Sequence, residues 1–214
     1  MFKDRKDAGT KLGEALVEYS GADTMVLAIP RGGVEIGFEV AKALGAPLSL
    51  IIARKLPFPD NPESGFGAVA EDGSTWFVPN FKSVLAQDVV EEIISGQIAE
   101  IRRRVDILRA GMDLPAMTDR TVILVDDGIA MGSTMRASVK CCRSQGAGKV
   151  VVAAPVTGRD TARDMDSIAD DAVILKIPPI FRAVAQVYQN WYDVPDSEVL
   201  KIMQYAQKEG LGET

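Results

Sequence analysis

The densest chemical signal in the chain is Thr121-Val122-Ile123-Leu124-Val125-Asp126-Asp127-Gly128-Ile129-Ala130-Met131-Gly132-Ser133-Thr134. An apolar strand delivers two adjacent carboxylates, Asp126 and Asp127, and a short loop then leads to a helix start at Gly132, Ser133 and Thr134. In an open α/β sheet, ligands bind at the carboxyl ends of the strands. The helix start adds free backbone N–H groups, two hydroxyls and the positive end of the helix dipole, which together make an anion seat. Carboxylates beside such a seat suit a sugar phosphate. Their oxygens grip ribose hydroxyls or a bound Mg2+ ion, while the amides hold the phosphate. The loop matches neither the GxxxxGK[ST] nor the GxGxxG phosphate-binding pattern.

Two further groups carry charge at strand ends. Pro30-Arg31-Gly32-Gly33 follows the apolar run Met25-Val26-Leu27-Ala28-Ile29, and Arg54-Lys55 follows the run that begins at Leu48. Taken alone, the first is an ordinary strand-to-helix turn and the second a solvated strand end. Beside an anion seat, glycines allow unusual backbone angles and close approach to a phosphate, and Arg31 supplies charge-assisted donors.

What the chain lacks narrows the chemistry. It has no histidine, so a Ser-His-Asp triad, a Cys-His pair and a His-bearing zinc site are impossible. Its two cysteines are the neighbours Cys141 and Cys142, which read as packed small hydrophobes and give no disulfide framework. A net charge of −6 argues against a general nucleic-acid or anionic-membrane binder. No apolar run is long enough to span a membrane, and Met1-Phe2-Lys3-Asp4-Arg5-Lys6 lacks a signal-peptide core, so a cytoplasmic protein is expected.

The elements that must position these residues alternate. Helical spacing of Ala8, Leu12, Leu16 and Tyr19 precedes the first strand, and a second helix runs from Val34 to a stop at Gly45. A long helix is predicted over 86–109; its Arg102-Arg103-Arg104 run reads as a solvated face paired with Glu100 and Asp106. Helices over 133–145, 160–169 and 196–208 alternate with strands over 121–125, 150–156 and 172–175. This is one α/β domain over residues 1–214, with a mostly parallel sheet flanked by helices. Residues 56–74, rich in Pro, Gly and small polar residues, read as a mobile loop, with a short hairpin from the stretches 67–71 and 75–78.

The stretch from Thr121 to Thr134 resembles the phosphoribosyl-pyrophosphate (PRPP) motif of type I phosphoribosyltransferases. The whole chain, from Phe2-Lys3-Asp4-Arg5 to Phe181-Arg182-Ala183-Val184, resembles the "predicted phosphoribosyltransferase" branch of that superfamily. The resemblance implies the type I phosphoribosyltransferase fold, with a flexible catalytic loop over 56–74 and a small hood from the tail 176–192. It implies transfer of 5-phosphoribosyl from PRPP to a nitrogenous acceptor with release of pyrophosphate, Mg2+ as cofactor and a homodimer.

Residue by residue, Asp126 and Asp127 take the catalytic and metal-binding places, the Mg2+ being held mainly through PRPP. Arg54 and Lys55 meet the leaving group. Pro30, Arg31, Gly32 and Gly33 form the pyrophosphate loop, with a strained or cis peptide near Arg31. Gly128, Ile129, Ala130, Met131, Gly132, Ser133 and Thr134 form the phosphate loop. Phe181 and Arg182 are the acceptor-pocket candidates, with Trp191 and Tyr192 as alternatives. Met131 stands where the family commonly has Thr. Ala130 stands where 6-oxopurine enzymes carry a third acid, a place that Glu63 or Glu71 from the loop is the alternative to fill. The rival readings are a non-catalytic PRPP or nucleotide sensor, a PRPP-dependent amidotransferase-like activity, or a hydrolase of a ribosyl phosphate.

Overall fold

A computed structural model describes residues 1–21, 23–81 and 84–212. In chain order the elements begin with α1 (Arg5–Ala15), β1 (Thr24–Ala28), α2 (Gly32–Leu44) and β2 (Leu48–Leu50). Next come β3 (Ala53–Phe58), β4 (Asn61–Ala70), β5 (Thr75–Phe77) and α3 (Gln87–Arg109). The chain continues through β6 (Thr121–Val125), α4 (Ser133–Ser144), β7 (Lys149–Val156), α5 (Arg159–Ile168), β8 (Asp171–Lys176) and α6 (Asp196–Lys208).

The apolar runs become a five-stranded sheet in the order β2-β1-β6-β7-β8, and every pair in it is parallel. Strands β1, β6 and β7 are almost wholly buried, as strands covered by helices on both faces must be. The direction of strand order reverses between β1 and β6. Chains leaving a sheet at such a switch point diverge to opposite faces and leave a crevice between their loops. The register pairs Ala28 with Val125, so the 30–33 loop and the two aspartates emerge side by side. The predicted helices are all present, and Gly45 closes α2 in the left-handed conformation. Cys141 and Cys142 are buried and unpaired, and burial raises their thiols.

Residues 56–74 are not an irregular loop. Most of them belong to a second, three-stranded antiparallel sheet, β3-β4-β5, of which the 67–71 and 75–78 hairpin is one corner. The Pro and Gly content has a different cause from the one read in the sequence. Register shifts occur on both sides of Pro57, where a strand tolerates a missing donor. Gly67 lets strands approach, since a Cβ there would lie 2.3 Å from the Trp76 carbonyl oxygen. The apolar face carries Phe66, which stacks with Phe77 and Phe81 at centroid distances of 6.3 and 5.5 Å and meets Phe58 edge-on at 5.6 Å, while Phe77 and Phe81 stack at 4.4 Å.

The base of this hairpin is pinned to the main sheet. Arg109 is 5% exposed and forms an ion pair with Glu71, donates to the Leu50 carbonyl at 2.8 Å and donates to the Met112 carbonyl. Glu71 also accepts the Ile52 N–H at 2.8 Å. Arg54 and Lys55 therefore open the second sheet rather than closing a parallel strand. On α3, Glu100 takes both Arg103 (2.7 Å) and Arg104 (3.1 Å), as a solvated charged face would.

Candidate active site

The loop after β6 is held from behind. Thr157 Oγ1 donates to the Ile129 carbonyl (2.6 Å), Thr161 Oγ1 to the Ala130 carbonyl (3.1 Å) and Arg136 Nη1 to the Met131 carbonyl (2.6 Å). In a planar trans peptide the C=O and the following N–H point in opposite directions. Tying back three successive carbonyls turns the N–H groups of Ala130, Met131 and Gly132 the other way, towards the cavity. Gly132 caps α4 at φ 74°, a left-handed conformation that favours glycine, and a side chain there would also press on Arg136, Met165 and Thr161. The first N–H groups of α4 have no partner within the helix. The result is an array of backbone donors at a helix N-terminus, with the Ser133 and Thr134 hydroxyls beside it.

This array lines a cavity of about 290 Å3, together with Asp126, Lys55, Glu63 and Gly65. The hairpin therefore forms the wall opposite the loop. A larger cavity of about 450 Å3 lies between the end of α3, α6 and the edge strand β2, and shares none of these residues.

The two carboxylates have unlike surroundings. Asp126 Oδ1 accepts the Asp127 N–H at 2.8 Å, and the residue lines the cavity. Burial first, and the neighbouring Asp127 charge second, hold its carboxyl well above the usual carboxylate range. Asp127 turns away, towards Arg5 Nε at 2.8 Å. Burial raises its carboxyl too, but the Arg5 guanidinium opposes that rise. Gly32 and Gly33 serve this pair rather than an unusual backbone angle, for neither has a left-handed φ. A Cβ on Gly32 would lie 1.8 Å from Asp127 Oδ2, and one on Gly33 would lie 2.9 Å from the Val125 carbonyl oxygen. The Pro30-Arg31 peptide is cis, as the resemblance implies.

A basic recess adjoins Pro30. Arg54, Lys55, Gln97 and Arg104 line a cavity of about 380 Å3, with Arg54 Nε donating to Gln97 Oε1 at 2.8 Å. Lys55 borders both this recess and the Asp126 cavity. Arg31 is half-exposed and lies 3.8 Å from Asp196. The contributions of Gln97 and Arg104 were not visible in the sequence, because the long helix reads there only as a charged outer face.

Phe181 and Arg182 are not brought to the Asp126 cavity. Phe181 lies against Gly158 just beyond β7, and Arg182 is exposed, its N–H donating to Gln186. Val184 instead packs on Gly128, where a Cβ would lie 2.4 Å from it. The tail is fastened to the N-terminus. Phe2 pairs with Tyr188, Arg5 stacks 4.0 Å from the Trp191 ring, and the Tyr192 hydroxyl donates to Glu35 at 2.8 Å. Arg5, Glu35 and Tyr188 escaped the sequence reading. A lone arginine at a helix start carries no pattern; only the tertiary fold brings it to Asp127.

Among the described residues no group of three or more Cys, Asp or Glu could enclose a metal. The donor set suits Mg2+ nonetheless. That ion keeps several waters and binds through one or two carboxylates plus ligand phosphates, and Asp126 presents a carboxylate to the cavity beside the anion seat. No helix among the described residues is long and apolar enough to cross a membrane.

Residues 3–190 match the family described as the phosphoribosyl transferase domain. A Mycobacterium tuberculosis (strain H37Rv) protein bearing the name "Putative phosphoribosyl transferase" is 39% identical over 219 residues, covering 98% of this chain and 48% of its own. The chain thus spans about half the length of that relative. The crystal structure of TT1426 from Thermus thermophilus superposes with a TM-score of 0.80 at 35% identity, covering 94% of this chain and 96% of that one. The Escherichia coli amidophosphoribosyltransferase is 27% identical over 92% of this chain and 35% of its own length.

Proposed function

The chain belongs to the phosphoribosyl transferase domain family, and from that premise we propose that it transfers 5-phosphoribosyl from PRPP to a small nitrogenous acceptor, with release of pyrophosphate. One observation carries the reading. The carbonyl-tied loop from Ile129 to Met131 and the start of α4 face the same cavity as Asp126, at the switch point of the sheet.

In this reading the N–H groups of residues 130–134, with the Ser133 and Thr134 hydroxyls, hold the 5′-phosphate. Backbone donors supply what a hydroxyl at Met131 would have given. The acidic pair at Asp126-Asp127 marks the ribose side. The bond between the anomeric carbon and pyrophosphate breaks, its electron pair leaving with the pyrophosphate. The acceptor nitrogen's lone pair forms the new bond, and the proton it sheds passes to pyrophosphate or water. Charge at the anomeric carbon rises in the transition state, so fixed carboxylate charge placed beside it lowers the barrier without moving. Pro30, Arg31, Gly32 and Gly33, with Arg54, Lys55 and Arg104, face the leaving pyrophosphate. Mg2+, where bound, supplies charge neutralisation for the pyrophosphate oxygens. Asp126 and Asp127 are the residues that would hold it, mainly through the ligand.

The kinship to an amidophosphoribosyltransferase supports an amine among the acceptors to be tried. The test is pyrophosphate release from PRPP with and without Mg2+, across a panel of bases, amines and ammonia. Acceptor-dependent release that Asp126→Asn reduces at least a hundredfold is expected. Failure of a folded wild-type protein to bind PRPP in calorimetry would overturn the reading.

A further inference from the structure

We infer that Arg136 is a positioning residue for the anion seat and that Trp76, on the second sheet, holds it in place. The antiparallel sheet then braces the phosphate loop as well as walling the cavity. The inference rests on the phosphoribosyl-transfer reading only for the identity of the ligand phosphate.

Arg136 serves two successive carbonyls. Its backbone N–H donates to the Gly132 carbonyl at 2.9 Å, closing the first turn of α4, and its Nη1 donates to the Met131 carbonyl at 2.6 Å. Each trans peptide sets its C=O and the following N–H opposed. With both carbonyls drawn towards Arg136, the N–H groups of Gly132 and Ser133 point the other way. Gly132 and Ser133 border the Asp126 cavity, and Arg136 and Trp76 do not. Arg136 therefore reaches the ligand only through the backbone it holds.

Two other elements grip the guanidinium. Helix α5 supplies Asp164, which pairs with Nη2. Asp164 lies three residues beyond Thr161, whose hydroxyl donates to the Ala130 carbonyl, so one face of α5 meets the loop twice. Strand β5 supplies Trp76, whose ring centre lies 4.5 Å from the guanidinium carbon. A planar cation that stacks on a ring while its edge bonds a carbonyl and a carboxylate is a geometry lysine does not reproduce.

Trp76 is in turn fixed against α4. Lys140 Nζ donates to the Thr75 carbonyl at 2.8 Å, and Ser144 Oγ donates to Asp72 Oδ2 at 2.5 Å. Residues 136, 140 and 144 recur at every fourth position and so share one face of the helix. That face is laced to β5 and the turn before it. The helix whose N-terminus forms the anion seat is thus held along its length by the second sheet.

Calorimetry with two ligands tests the brace. Folded Arg136→Met is expected to weaken ribose 5-phosphate binding on the order of 10–100-fold, as for a lost hydrogen bond to a charged group. Magnesium pyrophosphate, read as meeting Arg54, Lys55 and Arg104, is expected to bind that variant unchanged. Trp76→Leu is expected to weaken ribose 5-phosphate by a smaller factor, and Trp76→Phe, which keeps a ring beside the guanidinium, to recover the loss. The Trp76 pair decides the matter where Arg136→Met does not fold.

Wild-type affinity for ribose 5-phosphate in folded Arg136→Met would overturn the proposal. Equal weakening of both ligands would overturn it as well, since that marks a general loss of structure. Trp76→Phe no better than Trp76→Leu would remove Trp76 from the brace. If the wild-type protein binds neither ribose 5-phosphate nor PRPP, the phosphoribosyl reading fails on its own. The brace is then judged by the carbonyl carbon resonance of Met131, which is expected to move in Arg136→Met, and an unmoved resonance refutes it.

Discussion

Gly32→Ala is the sharpest probe of how the two loops meet. A methyl group at this position would lie 1.8 Å from Asp127 Oδ2, 2.6 Å from its Cγ and 2.9 Å from Arg5 Nε. Neither backbone can retreat easily, because β1 and β6 are paired along their whole length and α2 starts at residue 32. The carboxylate must rotate out and leave Arg5, whose side chain is 3% exposed. Breaking a buried ion pair from one side costs about 3–5 kcal/mol, and the lower end applies because Asp127 keeps some exposure. For a domain of this size about 1 kcal/mol moves Tm by roughly 2–4 °C, so a fall of about 6–12 °C is expected.

The sign is itself informative, since Gly→Ala in a helix ordinarily stabilises by up to about 1 kcal/mol. Gly96→Ala, in α3 with nothing within 4 Å of the new methyl, is the matched control and is expected to raise Tm. Thermal unfolding followed by circular dichroism reads both. A Gly32→Ala protein as stable as the wild type would refute this close approach, and with it the packing of Asp127.

Three other outcomes are expected. Glu71→Gln leaves Arg109 buried without its charge partner, so Tm falls steeply while KM for PRPP in the folded fraction is unchanged; a selective loss of turnover with normal Tm would restore Glu71 as a mobile acid. Amide exchange at residues 59–65, the exposed end of the hairpin, is fast in the free protein and slows with PRPP and Mg2+, whereas residues 66–70 stay protected in both states; equal protection at the tip with and without ligand would make it a static wall. Hypoxanthine and guanine are poor acceptors, because Ala130 offers no proton-transfer group and such help is worth about two to four orders of magnitude; efficient turnover that Glu63→Gln abolishes would assign that role to Glu63, which borders the cavity.

The parallel sheet was legible because its strands are apolar runs and its helices carry stops, so local pattern and tertiary fold agree. α6 and the Asp126-Asp127 strand end fell where spacing placed them. The second sheet was not legible. Pro57, Gly65 and Gly67 are breakers by composition, and only the partner strand shows that they serve a bulge and close approach. Arg54 and Lys55 were placed at the end of a parallel strand, whereas they lie in β3 of the second sheet, since Ile51 and Ile52 continue the apolar run without marking the change. Arg5 and Asp127 are 122 positions apart, and no periodicity reports such a contact.

The pinning of the hairpin at its base has a consequence for how this scaffold can diversify. Ile52, Glu71 and Arg109 fasten one end, while Glu63 and Gly65 at the other end border the Asp126 cavity. Substitutions or insertions near the tip leave the fastening intact, and changes at the base leave the cavity wall's chemistry intact. Selection on what the cavity admits can thus proceed along the exposed turn almost independently of selection on folding. The floor of the cavity, built from the loop after β6, is held separately by Thr157, Thr161 and Arg136.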